Sequence, residues 1–180
     1  MTGDRRLISV QLLARFRVAL GWVFGPLVLL LAEPTIASLI VGFAIAVAGE
    51  SLRFWAAGHL NKAREVTASG PYRWFSHPLY VGSSIMGLGV GITSHNVIAI
   101  ALIALYLALT LTAAIRSEEL FLRRTFGEDY DRFKRGEFVR DPNAARRFSL
   151  AQAIANHEPR AAAGLAIAWV LLLLKAKGWY

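Results

Sequence analysis

The 180-residue sequence contains no cysteine, and only 18% of its residues are charged. The lack of cysteine excludes a disulfide-stapled secreted domain and a cysteine-ligated metal site. The four histidines are too scattered to indicate a metal site of another kind. Because a soluble domain of this length is usually about a quarter charged, the scarcity of charge also argues against a soluble globule.

Apolar residues make up 56% of the chain, and they occur in blocks. Residues 97–115 are 19 consecutive positions without a charge, which is the length needed to cross a hydrocarbon core about 30 Å thick. We therefore predict a small polytopic membrane protein of all-α class that forms a single integral-membrane domain. Shorter uncharged blocks cover residues 18–32, 35–49, 78–94 and 161–174.

Four transmembrane helices and a C-terminal apolar helix are predicted. The C-terminal block is short, so it either crosses the membrane or lies in its interface. The first helix is expected to be retained, because no cleavage site of signal-peptide type follows it. The last of the four helices is expected to continue as an amphipathic helix to about residue 138. The predicted ranges are 16–31, 35–58, 78–94, 97–115 and 161–174.

Twenty basic and twelve acidic residues give a net charge of +8. Eighteen of the basic residues lie before residue 18, at the end of the second helix and in the loop after it, or in the segment 116–160, whereas the connections 33–34 and 95–96 have none. The positive-inside rule therefore predicts a cytoplasmic N-terminus and two cytosolic segments, 58–77 and 116–160. No nucleic-acid-binding motif accompanies the charge, so the expected partners are membrane lipids rather than nucleic acid.

The third and fourth helices form a hairpin whose turn is very short. Because each helix is close to one membrane thickness in length, both ends of the hairpin return to the same face of the membrane. We therefore expect His77 and Tyr80 to lie within side-chain reach of Glu118, Glu119 and Arg116. This convergence predicts a polar site at one boundary of the membrane.

Two motifs at the ends of this hairpin resemble those of the isoprenylcysteine carboxyl methyltransferase family, which is related to the phospholipid methyltransferases. The segment SGPYRWFSHPLYVG, residues 69–82, is similar to the pattern S-G-P-Y-R-x-x-R-H-P-x-Y-x-G. The segments RSEELFL, residues 116–122, and FGEDY, residues 126–130, resemble R-x-E-E-x-x-L and F-G-x-x-Y. The resemblance covers about residues 50–140.

The resemblance implies a membrane-embedded enzyme that moves the methyl group of S-adenosylmethionine to a lipophilic acceptor at the cytosolic face. It places His77, Tyr80, Gly82 and the two glutamates at the cofactor, and Arg116 at the cofactor or an anionic substrate group. Carboxylates suit the ribose hydroxyls or the ammonium of this cofactor, and the tyrosine ring suits its sulfonium. The candidate catalytic residues are Arg116, Glu119 and Arg53, and the candidate cofactor-binding residues are His77, Tyr80, Gly82, Gly87, Gly89, Glu118 and Glu119.

Several of these residues have a simpler structural interpretation. His77 could cap the third helix, and Glu118 and Glu119 could be the solvated end of a membrane helix. The small residues Gly87 and Gly89 could permit close helix packing or leave room for the cofactor. Glu50 and Arg53 are one helical turn apart and could pair, although charges inside a membrane usually indicate function.

The sequence also departs from the family pattern. Ser76 replaces the arginine that usually precedes His-Pro, Phe133 replaces a second tyrosine, and the usual V-x-R-x-x-P ending is only loosely matched at residues 139–142. The tail from residue 143 has no counterpart in the pattern. The sequence allows three classes of methyl acceptor: an isoprenylcysteine-like carboxylate, a phospholipid amine or another apolar molecule. The alternative functions are an NADPH-dependent sterol-type reductase and a non-catalytic helical membrane scaffold.

Overall fold

The structure, a computed structural model, describes residues 19–62, 64–137 and 147–179. These residues form helices and no strand, which confirms the predicted all-α class. The predicted start of the first helix, before residue 19, lies outside the described residues. The helices are α1 (Ala19–Leu31), α2 (Ile36–His59), α3 (Pro78–Ser94), α4 (Val97–Phe126), α5 (Glu128–Lys134), α6 (Leu150–Ala155) and α7 (Glu158–Ala176), with a 3-10 turn at Gly70–Arg73.

The starts of α2, α3 and α4 follow from local sequence. Thr35 caps α2 through a capping box in which it exchanges side chain-to-backbone hydrogen bonds with Ser38. Pro78 opens α3, where a missing N–H is tolerated. The Asn96 side chain accepts hydrogen bonds from the backbone N–H groups of Ile98 and Ala99, in the first turn of α4, at 3.0 and 3.1 Å. Three of the predicted helix starts are therefore correct to within one residue.

The fourth helix ends earlier than predicted. α4 stops at Phe126 because Gly127 adopts a left-handed backbone conformation with φ of 53°, and α5 is a separate short helix. The prediction of one continuous helix to about residue 138 is therefore wrong beyond Phe126. The C-terminal helix, by contrast, is longer than predicted and begins at Glu158.

Three of the described helices, α2, α4 and α7, are long and apolar enough to cross a membrane. The 17-residue α3 and the described part of α1 are shorter. Large apolar side chains on the outer faces of the helices are exposed, as lipid-facing residues are, among them Trp22, Ile40, Val97, Leu105 and Ile167. These features support an integral membrane protein.

The α2–α3 pair packs closely, and this packing depends on glycine. A Cβ atom on Gly89 would lie 2.5 Å from the Gly42 carbonyl oxygen, and one on Gly82 would lie 2.6 Å from that of Gly49. Only glycine lets the two backbones approach this closely. Ser38 Oγ also donates to the Thr93 carbonyl oxygen at 3.2 Å, so α2 and α3 are joined at the end opposite to His77.

The C-terminal helix α7 runs antiparallel to α2. Glu158 at its start pairs with Arg53 near the end of α2, while Trp169 Nε1 donates to the Leu39 carbonyl oxygen near the start of α2 at 3.4 Å. Lys175 Nζ then donates to the Leu29 and Leu30 carbonyl oxygens at 2.6 and 2.7 Å, at the end of α1. The helix therefore extends over the same depth as α2.

Candidate functional site

The loop before α3 is folded tightly against the end of α2. Its 3-10 turn begins at Gly70, which has φ of 56°, and a Cβ atom there would lie 2.6 Å from the His59 ring. The next residues, Pro71 and Tyr72, are buried. Burial is also the main reason why the pKa of Tyr72 is raised, with the nearby charge of Glu118 contributing. This packing fixes the chain that leads to His77.

His77 joins both glutamates at the end of the α3–α4 hairpin. Its Nδ1 atom is 3.6 Å from Glu118 Oε2, and its Nε2 atom is 3.3 Å from Glu119 Oε1. The structure therefore confirms that the hairpin brings these residues within side-chain reach. His77 is the N-cap residue of α3, as the simpler interpretation expected, but its side chain makes no capping hydrogen bond there and contacts the two glutamates instead.

The short helix α5 adds two residues to this cluster. Lys134 Nζ is 2.7 Å from Glu119 Oε1, so the same carboxylate oxygen contacts both a histidine and a lysine. Tyr130 is 1% exposed, and its hydroxyl has no hydrogen-bond partner among the described residues. Burial, reinforced by the charges of Glu119 and Glu118, raises the pKa of Tyr130, so the phenol remains a hydrogen-bond donor at neutral pH.

A cavity of about 850 Å³ lies beside this cluster, which is within the range of about 300–1,000 Å³ typical of small-molecule sites. Its walls combine acidic, basic and aromatic side chains with the apolar faces of α3 and α4. The residues from the loop, the hairpin, α5 and the C-terminal segment that meet there include Lys62, Tyr72, Tyr80, Ser117, Glu118, Tyr130, Asn156 and Glu158. The cavity is therefore built from most of the elements at this end of the bundle.

A second, mostly apolar groove of about 540 Å³ lies between α3 and α4. It extends from Trp74 and His77 at the site to Leu107 and Ala108 on the membrane part of α4. Ser76, Tyr80, Leu107 and Leu111 line both this groove and the larger cavity. The two spaces are therefore neighbours that share one wall.

Arg53 is a charged residue of α2 that lines the larger cavity. It pairs with Glu50 on its own helix at 3.5 Å, as the sequence spacing suggested, and with Glu158 of α7 at 2.7 Å. Its Nη1 atom donates to Ser83 Oγ at 2.5 Å. The guanidinium is thus held from three helices.

The structure brings some of the predicted site residues together and leaves Arg116 apart from them. His77, Tyr80, Glu118 and Glu119 come together, with the His77 and Tyr80 ring centroids 5.8 Å apart. Arg116 is exposed and lines neither cavity.

The predicted glycines lie in helix contacts, since a Cβ atom on Gly82, Gly87 or Gly89 would meet Arg53, Leu107 or Gly42 and Ala46, respectively. None of the three lines either cavity. This placement fits the packing interpretation of the glycines.

Three residues of the site were not predicted. Tyr130 had a signal, because it is the last residue of the F-G-x-x-Y motif, but it was not assigned to the site from the sequence. Lys134 and Glu158 had no such signal. Lys134 lies in α5, a separate helix that begins after the unexpected break at Gly127, and Glu158 is a single acid in a tail without a recognised motif. The described residues contain no group of three or more His, Cys, Asp or Glu side chains that could hold a metal ion.

Comparison with known proteins identifies relatives of the part of the chain that carries the hairpin. A family model described as phospholipid methyltransferase matches residues 35–129. No solved structure matches the chain at a significant level.

Curated relatives cover the same region. The nickel-cobalt-cadmium resistance protein NccN of Alcaligenes xylosoxydans xylosoxydans is 38% identical over 84 residues, covering 44% of this chain and 39% of the relative. The cobalt-zinc-cadmium resistance protein CzcN of Cupriavidus metallidurans is 36% identical over 90 residues, covering 49% and 40%. The protein-S-isoprenylcysteine O-methyltransferase of Schizosaccharomyces pombe is 30% identical over 92 residues, covering 51% and 39%. The matches thus span about two fifths of the length of these relatives.

Proposed function

The chain belongs to the phospholipid methyltransferase family, and from this premise we propose that it transfers the methyl group of S-adenosylmethionine to a lipophilic acceptor at the cytosolic membrane face. The observation that carries the proposal is the contact of His77 with both Glu118 and Glu119 beside a cavity of small-molecule size. The match to an isoprenylcysteine methyltransferase supports the same class of reaction.

The residues present fit this cofactor. Glu118 lines the cavity and offers a carboxylate to the ribose hydroxyls or to the ammonium group. The buried Tyr130 hydroxyl also lines the cavity, has no hydrogen-bond partner among the described residues and is available to donate. The Tyr80 ring, which lines the same wall, suits a sulfonium cation. Acceptors, a donor and an aromatic face are therefore all in place.

When bound, S-adenosylmethionine supplies a methyl group whose bond to sulfur breaks as the acceptor attacks, and the electron pair of that bond stays on sulfur. Since the transfer is an in-line displacement, the protein contributes mainly position and electrostatics. His77 fixes the two carboxylates relative to each other, and Lys134 holds Glu119 in place. Arg53 lines the cavity and is suited to the polar group of the acceptor. We assign no role in either cavity to Arg116.

We further propose that the apolar part of the acceptor lies in the groove between α3 and α4. The groove shares Ser76 and Tyr80 with the larger cavity, so an acceptor lying there would bring its polar end to the site. Its wall on α4 is mostly apolar and belongs to a helix long enough to cross a membrane. This arrangement favours a lipid-like acceptor that reaches the site from within the bilayer.

The charge distribution supports an orientation with the site in the cytosol. We propose that α1 to α4 cross the membrane four times and that α7 crosses it a fifth time. The loop 58–77 and the segment 116–160 carry most of the basic residues, and they adjoin the His77 cluster. The positive-inside rule then favours a cytosolic site.

The test is calorimetric titration of the purified full chain with S-adenosylmethionine. We expect the wild-type protein to bind and Glu118→Gln to lose about tenfold or more in affinity, because hydrogen bonds to charged groups contribute roughly 1.5–3 kcal/mol. Glu137→Gln is the matched control, since Glu137 is exposed and pairs only with Arg135 in the described part of the chain. Absence of binding by folded wild-type protein would overturn the proposal.

A further inference from the structure

The C-terminal segment supplies one wall of the larger cavity although it lies outside the family match. The match ends at residue 129, yet Ala155, Asn156, His157 and Glu158 all line the cavity. These residues join α6 to α7. The site of this chain therefore contains a part that the family pattern does not describe.

This wall is docked on the end of α2 by specific contacts. Asn156 Nδ2 donates to the carbonyl oxygens of Ala57 and Leu60 at 2.8 and 2.9 Å. The Ser149 backbone N–H donates to the Gly58 carbonyl oxygen at 3.1 Å, and the Phe148 ring fills the space beside Gly58. These bonds satisfy carbonyl groups that would otherwise be unpaired at the end of α2, so the wall has a defined place.

Glu158 is the charged residue of this wall that contacts Arg53. Only 3% of Glu158 is exposed, and its Oε1 atom is 2.7 Å from Arg53 Nε. The other carboxylate near Arg53, Glu50, is farther away at 3.5 Å and lies on the same helix as Arg53. A buried acid of this kind is normally paired, and here the pair joins α7 to the cavity residue of α2.

We propose that Glu158 is a positioning residue that holds the Arg53 guanidinium at the cavity and thereby closes the C-terminal wall over it. The proposal rests on the proposed function, because Arg53 is the residue suited to the acceptor. Without the Glu158 carboxylate, Glu50 draws the guanidinium back along α2. The bond between Arg53 and Ser83 Oγ then loses its fixed geometry, and the wall loses its ionic contact.

The first experiment measures closure of the wall and needs no acceptor. Because the chain has no cysteine, Thr110→Cys places a single thiol in the cavity lining. Its rate of labelling by a charged maleimide is measured in the otherwise unchanged chain, with Glu158→Gln, and with Glu137→Gln as the control. We expect Glu158→Gln to label about tenfold faster or more, because removing one partner of a buried ion pair shifts an equilibrium by at least that factor.

The second experiment separates positioning from folding. Affinity for S-adenosylmethionine is measured by calorimetry, and methyl transfer is measured with phosphatidylethanolamine vesicles and with N-acetyl-S-farnesylcysteine as probes. We expect Glu158→Gln to keep the affinity for S-adenosylmethionine and to lower kcat for whichever probe the wild-type protein methylates. The charge-swapped variant Arg53→Glu/Glu158→Arg is expected to label slowly again without regaining kcat, because the guanidinium has moved to another helix.

Several outcomes would overturn the proposal. Unchanged labelling in Glu158→Gln would show that the ion pair does not hold the wall, and recovery of kcat in the charge-swapped variant would show that the place of the guanidinium is unimportant. Loss of affinity for S-adenosylmethionine in Glu158→Gln would make Glu158 a folding or cofactor residue. If instead the wild-type chain fails to bind S-adenosylmethionine, the proposed function fails, while the labelling rates still decide whether Glu158 closes the wall.

Discussion

At the residue scale, the two neighbouring glutamates have different surroundings. Glu119 Oε1 lies 3.3 Å from His77 Nε2 and 2.7 Å from Lys134 Nζ, so this carboxylate already has two partners within the protein. Glu118 contacts His77 Nδ1 at the longer distance of 3.6 Å and lines the cavity. Because Glu118 lines the cavity and Glu119 does not, Glu118 is the better placed carboxylate for a ligand.

Tyr130→Phe tests whether the buried hydroxyl serves a ligand. Removing a buried hydroxyl without a partner takes away a desolvation penalty of about 1–3 kcal/mol, so we expect the unliganded variant to unfold at the same temperature or higher. We also expect affinity for S-adenosylmethionine to fall by roughly 2–10-fold, because one hydrogen bond contributes about 0.5–1.5 kcal/mol. Thermal unfolding and calorimetry measure the two effects. A lower unfolding temperature with unchanged affinity would show a purely structural role.

At the element scale, the hairpin was predictable because few alternatives satisfy its constraints. The turn at residues 95–96 is too short for anything but an antiparallel pair, so the similar lengths of the two uncharged segments, 78–94 and 97–115, bring His77 close to Glu118. The break at Gly127 was not predictable in the same way, since glycine occurs inside helices as well as at their ends. The approach of Lys134 to Glu119 depends on that break, which is why this contact was missed.

Substitution of a glycine in α3 tests the packing of the helices. We expect Gly89→Ala to destabilise the protein by about 1–3 kcal/mol, the usual effect of overpacking, because its Cβ atom would lie 2.5 Å from the Gly42 carbonyl oxygen and 2.7 Å from the Ala46 nitrogen. Gly164→Ala in α7 is the matched control, since a Cβ atom there meets nothing within 4 Å. Thermal unfolding in detergent measures both. Loss of S-adenosylmethionine affinity at unchanged stability would instead favour a cofactor role for Gly89.

At the scale of the whole molecule, hydropathy and charge predicted the class but not the contribution of the tail. The uncharged blocks indicated the helices, because a bilayer demands long apolar segments. The pairing of Arg53 with Glu158 joins residues 105 positions apart along the chain, and no local pattern specifies a contact of that kind. The role of a buried acid at the start of an apolar helix can be recognised only when the structure shows which residue the acid contacts.

The topology determines which connections between helices are accessible from outside the cell. The backbone N–H of Glu33 donates to the Ser94 carbonyl oxygen at 2.7 Å, and Lys175 donates to the end of α1, so both short turns and the end of α7 lie at one end of the bundle. We therefore expect single cysteines at His95 and Lys177 to react with an impermeant maleimide on intact cells, and one at Arg64 to react only after lysis. Because α7 runs antiparallel to α2 from Glu158 to the end of α1, a helix that lay in the interface would instead leave Lys177→Cys unlabelled until lysis. That result would remove the fifth crossing, whereas labelling of Arg64→Cys on intact cells would reverse the orientation and place the His77 cluster outside the cytosol.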